Sequence, residues 1–65
     1  MTFDQNLRRL MYERGLTQAG LARRMGVSRA CIHAWYWGIN EPSIESLRRL
    51  RSILGCTFDD LIGDD

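Results

Sequence analysis

Glycines at 15, 26, 38 and 55 each close a stretch in which apolar residues recur at i, i+3 and i+4, and this punctuation confines the 65-residue chain to short helices. The first stretch carries Phe3, Leu7, Leu10 and Met11 before Gly15. Thr17 is placed to cap a second, with Leu21, Ala22 and Met25 before Gly26. Val27, Cys31, Ile32 and Trp35 mark a third, closed by Gly38. After the single proline, Pro42, Ser43 caps a fourth, in which Ile44, Leu47, Leu50, Ile53 and Leu54 are predicted to face inward before Gly55. Thr57 opens a last turn holding Phe58, Leu61 and Ile62, and Asp59 and Asp60 fall where the helix dipole favours negative charge. The pattern predicts an all-α fold, one compact five-helix domain over residues 1–65 with its core between 7 and 62.

A chain this short lies near the lower limit for a core that holds without staples, but 45% apolar residues is ordinary for a globular protein. No apolar run approaches the roughly 20 residues of a membrane span. The opening "MTFDQNLRRL" lacks the apolar core of a signal peptide, so a cytoplasmic, nucleoid-associated protein is expected. In that compartment Cys31 and Cys56 stay reduced; a bond between them is open on sequence alone, and the compartment argues against it.

The net charge of +1 conceals a strong segregation. Residues 1–51 hold all nine arginines against Asp4, Glu13, Glu41 and Glu45, a balance of +5, whereas residues 52–65 hold four aspartates and no base. From Thr17 to Asn40 there are three arginines and no acid. Such a field suits a polyanionic partner. The chain has no lysine, so every fixed positive charge is a guanidinium, the cation shaped for bidentate contacts.

The informative spacing runs from Gln18 to Trp37. Ala22 is small enough to let a neighbouring helix approach, Gly26 supplies a sharp turn, and Val27, Ile32 and Trp35 give the next helix an apolar face. These are the requirements of a helix-turn-helix, placed here at residues 18–37. With about 100° per residue and Val27 at zero, Cys31, Trp35 and Ile32 fall within about 40–140°. Arg29, His33, Trp37 and Ala30 fall at about 200–300°, on the opposite face, and Ala34 lies at its edge near about 340°.

The segment "LRRLMYERGLTQAGLARRMGVSRACIHAWYWGINEPSIESLRRLRSILGCTFDDLI", almost the whole chain, resembles the lambda-repressor-like, Cro/repressor-type (XRE) helix-turn-helix domains. Its most specific parts are "GLTQ", "LARRMGVSR", the aliphatic–x–x–Trp of "IHAW", and "EPSIESLRRLRSILG". The resemblance implies a transcriptional regulator of repressor type, whose third helix enters the major groove of double-stranded DNA while the second crosses the backbone. The base-reading positions of the family map onto Arg29, Ala30, His33 and Ala34. Arg29 is expected to pair with a guanine, Ala30 and Ala34 to allow close approach or meet a thymine methyl, and His33 to donate to a base or phosphate. Gln18 matches the family glutamine that bonds a phosphate at the start of the second helix, and Ser28 and Asn40 fit further phosphate contacts. So small a domain would bind weakly alone, so a homodimer is expected.

Three departures stand out. The family carries an arginine late in the first helix paired with a glutamate near the end of the third; Met11 and Tyr36 stand there, predicting an apolar contact in place of an ion pair. The second helix reads "TQAG", without a capping-box acid and with Gly20 costing roughly 1 kcal/mol of propensity. Trp37 and Ile39 replace polar or basic residues and form a candidate partner surface. The rival reading is therefore a protein-interaction module whose hot spot is Tyr36, Trp37 and Ile39. Neither a metal nor another cofactor is expected: Cys31 and His33 diverge by about 200° on one helix and no CxxC or HxxxH spacing occurs. A single histidine without an adjacent acid, on so small a helical domain, suits neither an enzyme nor a small-molecule substrate.

Overall fold

The computed structural model describes residues 2–63; Met1, Asp64 and Asp65, the ends of the expected domain, lie outside the described residues. Five helices follow in order: α1 Phe3–Glu13, α2 Gln18–Met25, α3 Arg29–Tyr36, α4 Ile44–Leu54 and α5 Phe58–Ile62. Side-chain oxygens start four of them. Thr17 accepts from the Gly20 N–H at 3.0 Å, Ser28 from Cys31 at 3.2 Å, Ser43 from Ser46 at 3.2 Å and Thr57 from Asp60 at 3.1 Å. The four punctuating glycines all take the left-handed conformation, with φ between 64° and 72°.

The apolar faces meet in one cluster. α1 packs on α3 and α5, α2 on α3 and α4, and α4 on α5. Leu7, Leu21, Met25, Ile32, Leu50 and Leu61 are fully buried at its centre, each worth about 1.5–3 kcal/mol relative to an exposed side chain. Trp35 roofs this core at 4% exposure, and Ala22 is buried where α2 and α3 approach.

Long side chains then tie the ends of the helices to distant elements. Last-turn carbonyls have no partner within a helix. Arg49 of α4 donates to the Met25 carbonyl at the end of α2. Arg14 donates to the Leu54 carbonyl at the end of α4, and Arg8 of α1 to that of Tyr36 at the end of α3, at 2.6 Å. The buried amide of Asn6 donates to Leu61 at 2.9 Å and to Gly63 at 3.1 Å, closing α5 against α1. Each is a charge-assisted or buried bond placed where the helix dipole is negative.

The expected inward faces hold except at Ile44. Ile44 is 69% exposed and is the first residue of α4, at the edge of the core cluster's reach. Phe58 and Ile62 are also substantially exposed, because only Leu61 on the short α5 faces inward; Phe58 instead lies under the Arg51 guanidinium, 5.2 Å from the ring centroid. α3 starts at Arg29, not Val27, which sits half-buried in the preceding turn.

Candidate nucleic-acid interface

The turn between α2 and α3 sets the geometry of the motif. Gly26, at φ 70°, lets the Val27 N–H reach back to the Ala22 carbonyl at 3.1 Å. Ser28 then leaves the turn in extended conformation and starts α3. Because its Oγ accepts from Cys31, the hydroxyl proton remains available to donate outward. Ile32 and Trp35 anchor the inner face of α3 in the core, with Cys31 half-buried beside them.

That anchoring turns Arg29, Ala30 and His33 to solvent, and Ala34 is half-buried at the edge, as the helical angles predict. Arg29 makes no ion pair or hydrogen bond among the described residues, and neither do Arg23 and Arg24 of α2. Arg8, Arg14 and Arg49, in contrast, each donate to a backbone carbonyl of the fold, and Arg51 lies over the Phe58 ring. The cationic groups still uncommitted thus include all three of the acid-free stretch from Thr17 to Asn40.

Gln18 is the first residue of α2 and is half-buried. The amides of Gln18 and Ala19 precede the first helical hydrogen bond and have no partner within the helix. An open depression of about 380 Å³ is lined by Gly15, Leu16, Thr17, Gly20, Arg23 and Arg24. No acid borders it. Asn40 is exposed on the far side of α3, in the turn that follows it.

At the end of α3 a cation joins the residues that the sequence predicts to be apolar neighbours. Met11 is buried in the core and Tyr36 is half-buried against the same cluster, so both positions of the family ion pair have joined one apolar body. The cation has moved, however, rather than disappeared. Arg8, one turn earlier on α1, donates to the Tyr36 carbonyl and is paired with Asp4 at 3.1 Å. Its guanidinium carbon lies 5.3 Å from the Trp37 ring centroid and 5.8 Å from that of Tyr36, and the two rings meet edge to face at 5.0 Å. Trp37 thus has internal partners in Arg8 and Tyr36, yet both residues of the candidate partner surface stay exposed, Trp37 at 55% and Ile39 at 68%. Spacing did carry a signal for Arg8, since an arginine three residues before Met11 shares its helical face.

A two-bond turn closes this end. The Gly38 N–H donates to Trp35 at 3.3 Å and the Ile39 N–H to Ala34 at 2.8 Å, with Asn40 following at 3.4 Å to the same Ala34 oxygen. Gly38 has a φ of 72°, and a Cβ there would sit 3.1 Å from the Asp4 carboxylate. Hydrogen bonding from the Thr2 hydroxyl, and then from Arg8, holds the Asp4 carboxyl below the ordinary carboxylate range.

The chain matches the model of the Cro/C1-type helix-turn-helix DNA-binding domain over residues 6–65. It is 34% identical to the HTH-type transcriptional activator BcrR of Enterococcus faecalis over 65 residues, all of this chain and 32% of that protein. It is 30% identical to the HTH-type transcriptional regulator YqaE of Bacillus subtilis over 60 residues, 92% of this chain and 52% of the relative. The chain therefore spans about a third to a half of these relatives' length. A transcriptional regulator from Listeria innocua superposes with a TM-score of 0.87 at 31% identity, covering 98% of this chain and 60% of that one. The chain belongs to the Cro/C1-type helix-turn-helix DNA-binding domain family.

Proposed function

We propose that residues 1–65 act as one sequence-specific double-stranded DNA-binding unit of a repressor-type transcriptional regulator, with α3 in the major groove and α2 across the phosphate backbone. One observation carries this reading: the core grips the inner face of α3 and leaves Arg29, Ala30 and His33 exposed, Arg29 without an internal partner among the described residues. Arg29 takes the bidentate guanine contact, Ala30 and Ala34 let the helix approach the base edges, and His33 donates to a base or phosphate. Gln18, with the unpaired amides at the start of α2, and Ser28 and Asn40, on the flanks of α3, hold phosphates. No cofactor or small-molecule substrate enters this mechanism.

The protein works in the cytoplasm, on the nucleoid; among the described residues no helix is long and apolar enough to cross a membrane. It binds as a homodimer on two-fold related half-sites about one helical turn apart. The exposed Ile44, Phe58 and Ile62 in the C-terminal part, and Ile39, supply apolar surface for that contact. Selection of bound sequences from random duplex DNA tests the reading. A recurrent motif, and affinity that falls steeply with salt, are expected; recovery of no motif together with salt-insensitive binding would reject it. Sedimentation of the protein on the selected duplex tests the stoichiometry, two chains being expected per site.

A further inference from the structure

We propose that Arg8 is a positioning residue that holds the end of α3 and the Gly38–Asn40 turn in place for DNA, without itself touching the phosphates. This rests on the reading that α3 faces DNA. One nitrogen of the guanidinium carries both of its hydrogen bonds within the fold. Its Nη1 donates to the Tyr36 carbonyl at 2.6 Å and to Asp4 at 3.1 Å, and its central carbon lies 5.8 Å and 5.3 Å from the ring centroids of Tyr36 and Trp37. Asp4 in turn lies against Gly38, where a Cβ would come within 3.1 Å of its carboxylate. The first turns of α1 thus clasp three consecutive residues, Tyr36, Trp37 and Gly38, from one side.

The consequence reaches the DNA-facing side through the backbone. Gly38 and Ile39 donate back into α3, and Asn40 is bonded to the same Ala34 carbonyl as Ile39. Releasing Tyr36–Gly38 would loosen the turn that presents Asn40. Arginine suits this place better than lysine, because its planar, weakly hydrated fork can lie against aromatic rings while donating to a carbonyl and a carboxylate. A lysine keeps the charge and loses the plane. The Asp4 partner also cancels most of the field that Arg8 would otherwise offer a phosphate.

The test combines Arg8→Ala, Arg8→Lys and Asp4→Asn in the full chain, with two probes: a short random-sequence duplex pool and the duplex enriched from it. Arg8→Ala should weaken binding of the folded protein to the enriched duplex by about tenfold, the size of one lost contact. The slope of log affinity against log salt should stay unchanged. Arg8→Lys should resemble Arg8→Ala, and Asp4→Asn should show a smaller loss of the same sign. Amide hydrogen exchange, measured without DNA, should quicken at Gly38, Ile39 and Asn40 while Leu21 and Leu50 keep their protection. A salt slope shallower by about 1, with rescue by lysine, would instead make Arg8 a phosphate contact and overturn the proposal. Uniform loss of protection with unchanged affinity of the folded fraction would reduce Arg8 to a stability residue and overturn it too. If the unaltered protein binds neither probe, the DNA reading fails, and the exchange pattern still decides whether Arg8 clasps the turn.

Discussion

The two ends of α3 are built from opposite principles. At its start, Arg29, Ala30 and His33 stand in solvent beyond a serine cap, and no described side chain engages Arg29. At its end, Tyr36, Trp37 and Gly38 are held by Arg8 and Asp4, and the last carbonyls are satisfied by a guanidinium and a glycine turn. The same residue type, arginine, is left uncommitted at one end and engaged by the fold at the other. The difference teaches that a basic side chain in this chain is available to a partner only where the fold does not engage it. Sequence counts of charge therefore overstate the groups free to meet DNA.

Substitutions can separate the two ends. Trp35→Ala removes the buried anchor common to both and should cost about 3–5 kcal/mol, enough to unfold so small a domain, as read by chemical denaturation. A variant that melted like the parent would show that α3 is not held through this residue. Arg29→Ala addresses the first end alone. It should remove about 1–3 kcal/mol of discrimination between sites and leave the melting temperature unchanged. Selection returning the same motif from both proteins would discard the base-contact role.

Gly38→Ala addresses the other end. Its left-handed backbone and the nearby Asp4 carboxylate both oppose a side chain, so a destabilisation of about 1–2 kcal/mol is expected in thermal melts. Base preference among duplexes should persist, because Arg29 is untouched. The smallest effect belongs to a region remote from both ends. Reciprocal hydrogen bonds with Thr57, backbone first, hold the Asp60 carboxyl below the ordinary carboxylate range. A depressed folded value means that this contribution is present above the ordinary range and is lost as pH falls through the folded value. Melts taken at descending pH should therefore show a loss that Asp60→Asn makes shallower, and DNA affinity at neutral pH should be the same in both proteins. An identical pH profile in the two would remove Asp60 from the acid response.

Much of this architecture was legible locally. Apolar periodicity, Ser and Thr caps and closing glycines are properties of neighbouring residues, so they located all five helices and the core that Leu7, Leu21, Ile32, Trp35 and Leu50 form. Helical angles likewise separated the exposed Arg29, Ala30 and His33 from the buried Ile32 and Trp35. Ile44 fitted the same inward pattern and still lies outside the core, because periodicity does not say where along a helix the neighbouring layer ends.

What pattern could not supply was partnership across distance. Met11 and Tyr36 marked the loss of a family ion pair, and helical spacing put Arg8 on the face of Met11, but no local pattern gave its partner, the Tyr36 carbonyl 28 residues away. The same holds for Arg49 at the end of α2 and Arg14 at the end of α4. A hydrogen bond from a long side chain depends on where two helix axes cross, and crossing is settled by the packing of the whole core. Short-range composition thus sufficed for the helices and their faces, while the assignment of each arginine, to the fold or to the solvent, required the assembled chain.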